Sequence, residues 1–151
     1  MAIQVEQRPE KKRTISHNEH RLQSEMVISF SRLHPNDRGK LFATFQETES
    51  GAQGAQMLSL GLVRGVSDLL YIPDGRLIGI EVKYPGSSHK VSHLIEQANW
   101  LIKVPHKGWF CDNLMTFNEI IEGGEGIDPR KVLEWLSTVK TQTVTWQTKK
   151  T

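Results

Sequence analysis

The chain has 151 residues, 37% of them hydrophobic, which is enough for one compact domain with a single core and too few for two. Its 19 Lys and Arg against 17 Asp and Glu leave a net charge of +2, so composition alone carries no strong nucleic-acid signal. The single cysteine, Cys111, excludes an internal disulfide and a cysteine-rich zinc module, and no apolar run approaches the roughly 18 residues of a membrane span, so a cytoplasmic protein is expected.

Residues 1–15 carry Arg8, Lys11, Lys12 and Arg13 without sustained apolar periodicity and are expected to form a flexible basic arm. Ser16 or Asn18 suits the cap of a helix that should reach Leu33 and stop before Pro35, with Leu22, Met26, Phe30 and Leu33 on one stripe. At about 100° per residue Glu19 falls in the middle of that stripe and should point inward, whereas Glu25 falls off it. An acid on a core-facing stripe needs a partner, such as a metal or a lysine. Residues 41–46 have strand-like content, and residues 51–62 suit either a short helix or a mobile loop.

Residues 67–73 (SDLLYIP) and 76–83 (RLIGIEVK) are apolar strand candidates separated by Asp74-Gly75, a dipeptide that favours a tight hairpin turn. After the break at Pro85-Gly86-Ser87-Ser88, residues 90–103 predict a helix with Val91, Leu94, Ala98 and Leu101 on one stripe, and residues 109–112 a buried strand. Thr116 with Glu119 fits a capping box opening a short helix, and Asp128-Pro129 opens another through about residue 139. The expectation is a single α/β domain over residues 16–140, a mixed β-sheet flanked by helices, with residues 141–151 a peripheral polar tail.

A two-residue turn at Asp74-Gly75 sets Pro73 opposite Arg76, Tyr71 opposite Ile78 and Asp68 opposite Glu81. Directly opposed carboxylates, with Cβ atoms about 4.5 to 5.5 Å apart, repel unless something offsets them. A hard divalent cation such as Mg²⁺ is the obvious candidate. Side chains alternate along a strand, so Glu81 and Lys83 share one face while Ile80 and Val82 share the other. Lys83 could orient a metal-bound water, help to deprotonate it or stabilise charge on a phosphate. A Glu-x-Lys pair on an exposed strand is commonplace, but the apolar flanks mark this sheet as buried, where lone charges are costly.

The run Gly65-Val66-Ser67-Asp68, followed by Ile80-Glu81-Val82-Lys83, resembles the signature of the PD-(D/E)XK nuclease superfamily, with Ser67 where the superfamily name has proline. Asn18-Glu19-x-x-Leu22-Gln23, the glycine-containing loop before Asp68 and Gln97-x-x-Trp100 resemble its virus-type replication-repair nuclease (VRR-NUC) branch, and the likeness covers residues 16–113. The resemblance implies a restriction-endonuclease-like core and a metal site made by Glu19, Asp68, Glu81 and the carbonyl of Val82. It further implies Lys83 as catalytic lysine, Gln97 as an accessory polar residue, and phosphodiester hydrolysis with Mg²⁺ or Mn²⁺. Small free-standing members of this branch imply a homodimer acting on branched DNA such as four-way junctions.

Arg64, in the loop before Asp68, and Lys90 are candidates for contact with DNA phosphates. His89 and His93, four residues apart, could share a metal, but no third ligand is evident and a solvated helix start explains them as well. Trp100 and Trp109 read as core or rim packing, and Trp135, at helical spacing with Val132 and Leu136, as core or a dimer contact. The alternatives to a nuclease are a nuclease-fold nucleic-acid-binding or assembly module without catalysis, and a generic α/β domain whose charges form surface ion pairs.

Overall fold

The computed structural model describes residues 11–44, 51–61, 63 and 65–147. Helix α1 (Lys11–Leu33) leads through a short 3-10 turn (Pro35–Asp37) into β1 (Leu41–Ala43), and then come α2 (Gly51–Ser59), β2 (Leu69–Tyr71) and β3 (Ile78–Val82). Next are β4 (Ser88–Lys90), α3 (Val91–Lys103), β5 (Lys107–Cys111), α4 (Leu114–Ile121), α5 (Pro129–Ser137) and β6 (Thr143–Thr145). The result is an α/β protein with a mixed four-strand sheet, order β1-β2-β3-β5, and a small antiparallel sheet, β4-β6, packed against helices. Among the described residues no helix is long and apolar enough to cross a membrane.

Strands β1, β2 and β3 run antiparallel in succession, and α3 carries the chain across to β5, which lies parallel to β3. Every residue of β3 is buried, as its near-continuous apolar run requires of a strand covered on both faces. One face packs Leu69, Tyr71, Ile80 and Val82 against Leu22, Met26 and Phe30 of α1 and Phe117 and Ile120 of α4. The other core joins Phe110 to Leu94, Ala98 and Leu101 of α3, to Val132 and Leu136 of α5, and to Trp146. Cys111 is fully buried, and that burial pushes its thiol up to about 12.

Close approach of α3 to the sheet depends on two glycines that are direct partners across β3 and β5, Gly79 and Gly108. A Cβ on Gly79 would lie 2.9 Å from Cζ3 of Trp100, and one on Gly108 would run into the Leu101 carbonyl. Trp109 is buried against the other face, and Trp100 is half-buried above Gly79.

The hairpin register is the expected one, with Tyr71 paired to Ile78 and Leu69 to Ile80. The ladder ends at that first pair, however, so residues 72–77 form a wider connection in place of a two-residue turn. Arg76 Nε donates to Asp74 Oδ1 at 2.6 Å, and the Leu77 N–H donates to His106 Nδ1 at 3.1 Å, which holds the connection open.

Four other expectations change. α1 already includes Lys11, well before Ser16 or Asn18, because nothing from residue 11 onward interrupts a helix; residues 1–10 of the expected arm lie outside the described residues. Leu33 leaves the core stripe and is 58% exposed, since His34 stacks on Phe30 and closes that end of the helix. The α4 cap is Asn113, whose side chain accepts the Thr116 N–H at 2.8 Å, so Thr116 sits inside the helix. Residues 141–147 are not peripheral: β6 pairs with β4, and Trp146 is 3% exposed. The Trp146 ring lies 5.3 Å from that of Phe110 and 6.1 Å from that of Trp135, while its Nε1–H donates to Asp112 Oδ2 at 3.1 Å.

Trp146→Ala should therefore lower the unfolding free energy by about 3 to 5 kcal/mol, as for other buried aromatic truncations. Gly108→Ala, which forces α3 off the sheet, should cost about 1 to 3 kcal/mol or more. Urea unfolding monitored by tryptophan fluorescence or circular dichroism measures both, and a wild-type midpoint for Trp146→Ala would show the C-terminal strand to be dispensable.

Candidate active site

The acidic residues meet where β3 ends and the chain leaves the sheet. Alternation puts Ile78, Ile80 and Val82 on the α1 side and leaves Glu81 facing α3, with Lys83 on the same face beyond the strand. The Lys83 N–H continues the parallel pairing by donating to the Cys111 carbonyl at 2.9 Å. Across the hairpin the register brings Asp68 opposite Glu81, and each reaches the other's strand. The Asp68 N–H donates to Glu81 Oε2 at 3.2 Å, and the Val82 N–H to Asp68 Oδ2 at 2.8 Å. Behind Asp68, Ser67 is fully buried, and the Asp68 carbonyl accepts the Thr44 N–H at 2.9 Å.

Glu81 and Lys83 are only 2% and 3% exposed, whereas Asp68 and Glu19 are half-buried. Glu81 Oε1 accepts from Lys83 Nζ at 2.9 Å and from Gln97 Nε2 at 2.7 Å. The other amide atom of Gln97, Oε1, is buried without a hydrogen-bond partner. Glu19 does point inward: its Oε1 accepts from Ser87 Oγ at 3.1 Å, and His89 Nε2 lies 3.1 Å away.

Burial raises the Glu81 carboxyl to about 8 against the pull of Lys83, and Asp68 adds to the rise. Burial also raises Asp68, more than Lys83 and the Val82 N–H lower it. The Asp68 and Val82 N–H groups tie each carboxyl to the other's strand, and burial favours the protonated form of both. Desolvation works to lower the Lys83 ammonium, but Glu81, Asp68 and Glu19 more than offset it and raise its pKa. Burial works to raise Glu19 too, yet the His89 hydrogen bond and the Lys83 charge hold it below the usual carboxylate value.

Three carboxyl groups thus face one ammonium, and a cation would relieve the repulsion among them. The donors are all oxygen, which suits Mg²⁺ or Mn²⁺, and Mg²⁺ is commonly held by one or two carboxylates while keeping several waters. Asp68 and Glu81 fit that requirement, and the orphaned Gln97 Oε1 would accept from such a water. Among the described residues no three His, Cys, Asp or Glu side chains are gathered closely enough to enclose an ion, and Glu19 stands at the edge of the cluster, bonded to Ser87 and facing His89. That also disposes of the His89–His93 pair as a closed zinc site: His89 is committed to Glu19 and Ser87, and His93 is exposed.

The sequence-predicted residues Glu19, Asp68, Glu81, Lys83 and Gln97 converge here, and Val82 enters through its N–H. Lys90 is exposed on β4, one residue beyond His89, and Arg64 lies outside the described residues. Sequence reasoning missed Ser87 and His89 as partners of Glu19, since 65 or more residues separate them from it and a Pro-Gly-Ser-Ser run signals only a break in the chain. A groove of about 1030 Å³ runs beside β5 and α5, past Lys107, Trp109, Arg130 and Trp135, and none of the five converging residues lines it. Comparison with protein-family models, with curated proteins and with solved structures yields no match.

Between pH 4.5 and about 8 the folded chain holds a Glu81 proton that the unfolded chain has released, so stability falls as pH rises through that window. Asp68 acts in the same direction. In EDTA, the thermal midpoint should drop by several degrees from pH 5.5 to 8.5, and Glu81→Gln should flatten the profile. A flat wild-type profile would mean that Glu81 is ionised throughout.

Proposed function

We propose that this chain is a divalent-cation-dependent DNA endonuclease with a restriction-endonuclease-like core, of the PD-(D/E)XK superfamily and its VRR-NUC branch. The observation that carries the reading is the buried Glu81–Lys83 pair at the end of the central strand, with Asp68 hydrogen-bonded to it from the opposed strand. The order β2-β3 hairpin, α3 crossover, parallel β5, with helices on both faces, supports it.

Asp68 and Glu81, with Glu19 and the Val82 carbonyl, would hold Mg²⁺ or Mn²⁺. Such an ion supplies Lewis-acid activation of water and neutralises phosphate charge. The chain's own residues prepare the site. Gln97 and Lys83 pin Glu81 Oε1 and the Val82 N–H orients Asp68, and the Lys83 ammonium would offset charge that develops on a scissile phosphate. Exposed Lys90 would contact DNA phosphates, a role that the sequence alone also suggests for Arg64. The substrate is branched DNA, in the manner of a Holliday-junction resolvase, the acting species a homodimer, and the compartment the cytoplasm, the host cell's if the chain is phage-encoded.

The near-complete burial of Glu81 and Lys83 favours a second reading, a nuclease-fold nucleic-acid-binding or assembly module without catalysis. A labelled panel of four-way junction, flap, duplex and single strand, each with Mg²⁺, Mn²⁺ or EDTA, separates the two. Metal-dependent cutting should fall by about 100-fold or more in Asp68→Ala and Lys83→Ala, the scale for loss of one group stabilising transition-state charge. DNA binding should survive Lys83→Ala. Binding without cutting of any substrate would sink the nuclease reading, and a monomer in sedimentation at micromolar concentration would sink the dimer.

A further inference from the structure

Glu19 comes to the site from the far face of the sheet. It belongs to α1, whose buried residues pack under β2 and β3, while Asp68, Glu81 and Gln97 meet on the α3 side. Its side chain is 24% exposed and its interactions are made to the segment after β3. Glu19 Oε1 accepts from Ser87 Oγ at 3.1 Å, faces His89 Nε2 at 3.1 Å, and lies 3.5 Å from the Tyr84 N–H. Because a carboxylate oxygen only accepts, a hydrogen bond across this contact has Nε2–H as its donor. Ser87 is fully buried, its hydroxyl also lying 2.6 Å from the Tyr84 carbonyl and 2.6 Å from His89 Nε2.

The segment bearing Ser87 and His89 is itself moored. The Gly86 N–H donates to the Trp146 carbonyl at 2.7 Å, the Trp146 N–H to the Ser87 carbonyl at 2.8 Å, and the Val91 N–H to the Gln142 carbonyl at 2.9 Å. Between these bonds β4 pairs with β6, His89 opposite Val144. The mooring ends in the core, where Trp146 packs on Phe110 and Trp135 and donates to Asp112.

We infer that Ser87 and His89 are positioning residues that hold Glu19 at the edge of a divalent-cation site, on a segment fastened by the C-terminal strand. The inference rests on the reading that Glu19, Asp68 and Glu81 hold such an ion. Residues that orient a metal ligand without touching the metal typically alter its affinity by about 10- to 100-fold. A role confined to folding would instead lower stability and leave the affinity of the folded chain alone.

The test is Mn²⁺ binding to the full chain without DNA, by the electron paramagnetic resonance signal of free Mn²⁺ or by calorimetry. Thermal unfolding in EDTA serves as the measure of folding. Ser87→Ala, which conserves volume, and His89→Ala should each weaken Mn²⁺ binding by about 10-fold with little change in the unfolding midpoint. His89→Gln, whose amide can donate to the same oxygen, should recover most of the loss, and Asp68→Ala should abolish binding. Wild-type affinity in Ser87→Ala and His89→Ala, with binding lost in Asp68→Ala, would overturn the positioning role and leave the metal site standing. Absence of Mn²⁺ binding in the wild-type chain would remove the metal site and the inference with it.

Discussion

One ammonium group buried among three carboxyls is the constraint around which this protein is arranged. Lys83 and Glu81 are nearly inaccessible to water, and an ionisable group buried in this way is costly unless its partners are held in good geometry. The partners come from three places: Asp68 from beside the neighbouring strand, Gln97 from α3, and the charge of Glu19 from α1, while the Val82 N–H holds Asp68 in turn. No short stretch of chain contains this set. The hairpin register, the height of α3 above the sheet and the rotation of α1 must all be right at once.

The height of α3 rests on Gly79 and Gly108. Side by side on adjacent strands, they leave a bare patch on which Trp100 and the Leu101 backbone settle, and one helical turn before Trp100 the Gln97 amide reaches Glu81. With larger residues at that patch the helix would ride higher and the amide would lose its carboxylate. The same closeness seals Glu81 from water and keeps a proton on it near neutral pH. Packing of an apolar face and the electrostatics of the polar end are therefore one problem, solved where β3 ends, the usual place for sites in open α/β sheets.

Glu19 shows how far the support for a polar cluster extends. Its acceptor oxygen is satisfied by Ser87 and His89, their segment is paired with the C-terminal strand, and that strand is anchored by Trp146 between two aromatic rings. Residues near both ends of the described chain thus converge on one carboxylate. Such long supports are expected where a charge sits between two packed layers, because neither layer alone supplies enough hydrogen-bond partners.

Local pattern determined a good deal. Apolar periodicity marks α1, α3 and α5, apolar runs mark β2, β3 and β5, the midpoint at Asp74-Gly75 predicts the pairing of Tyr71 with Ile78 although the connection is wider than a two-residue turn, and strand alternation puts Glu81 and Lys83 on one face. The inward turn of Glu19 was legible from its angle on the helix. These are properties of neighbours in sequence, governed by periods of 3.6 and 2 residues. What only the tertiary structure decided is whatever depends on distant segments: the partnership of Ser87 and His89 with Glu19, the burial of Trp146, the exposure of Leu33 and the orphaned oxygen of Gln97. A polar tail reads as solvated until a strand is found to pair with it, and a serine in a Pro-Gly-Ser-Ser break reads as a turn until a carboxylate arrives from another layer. Sequence spacing sets which residues share a face, but only packing sets what that face meets.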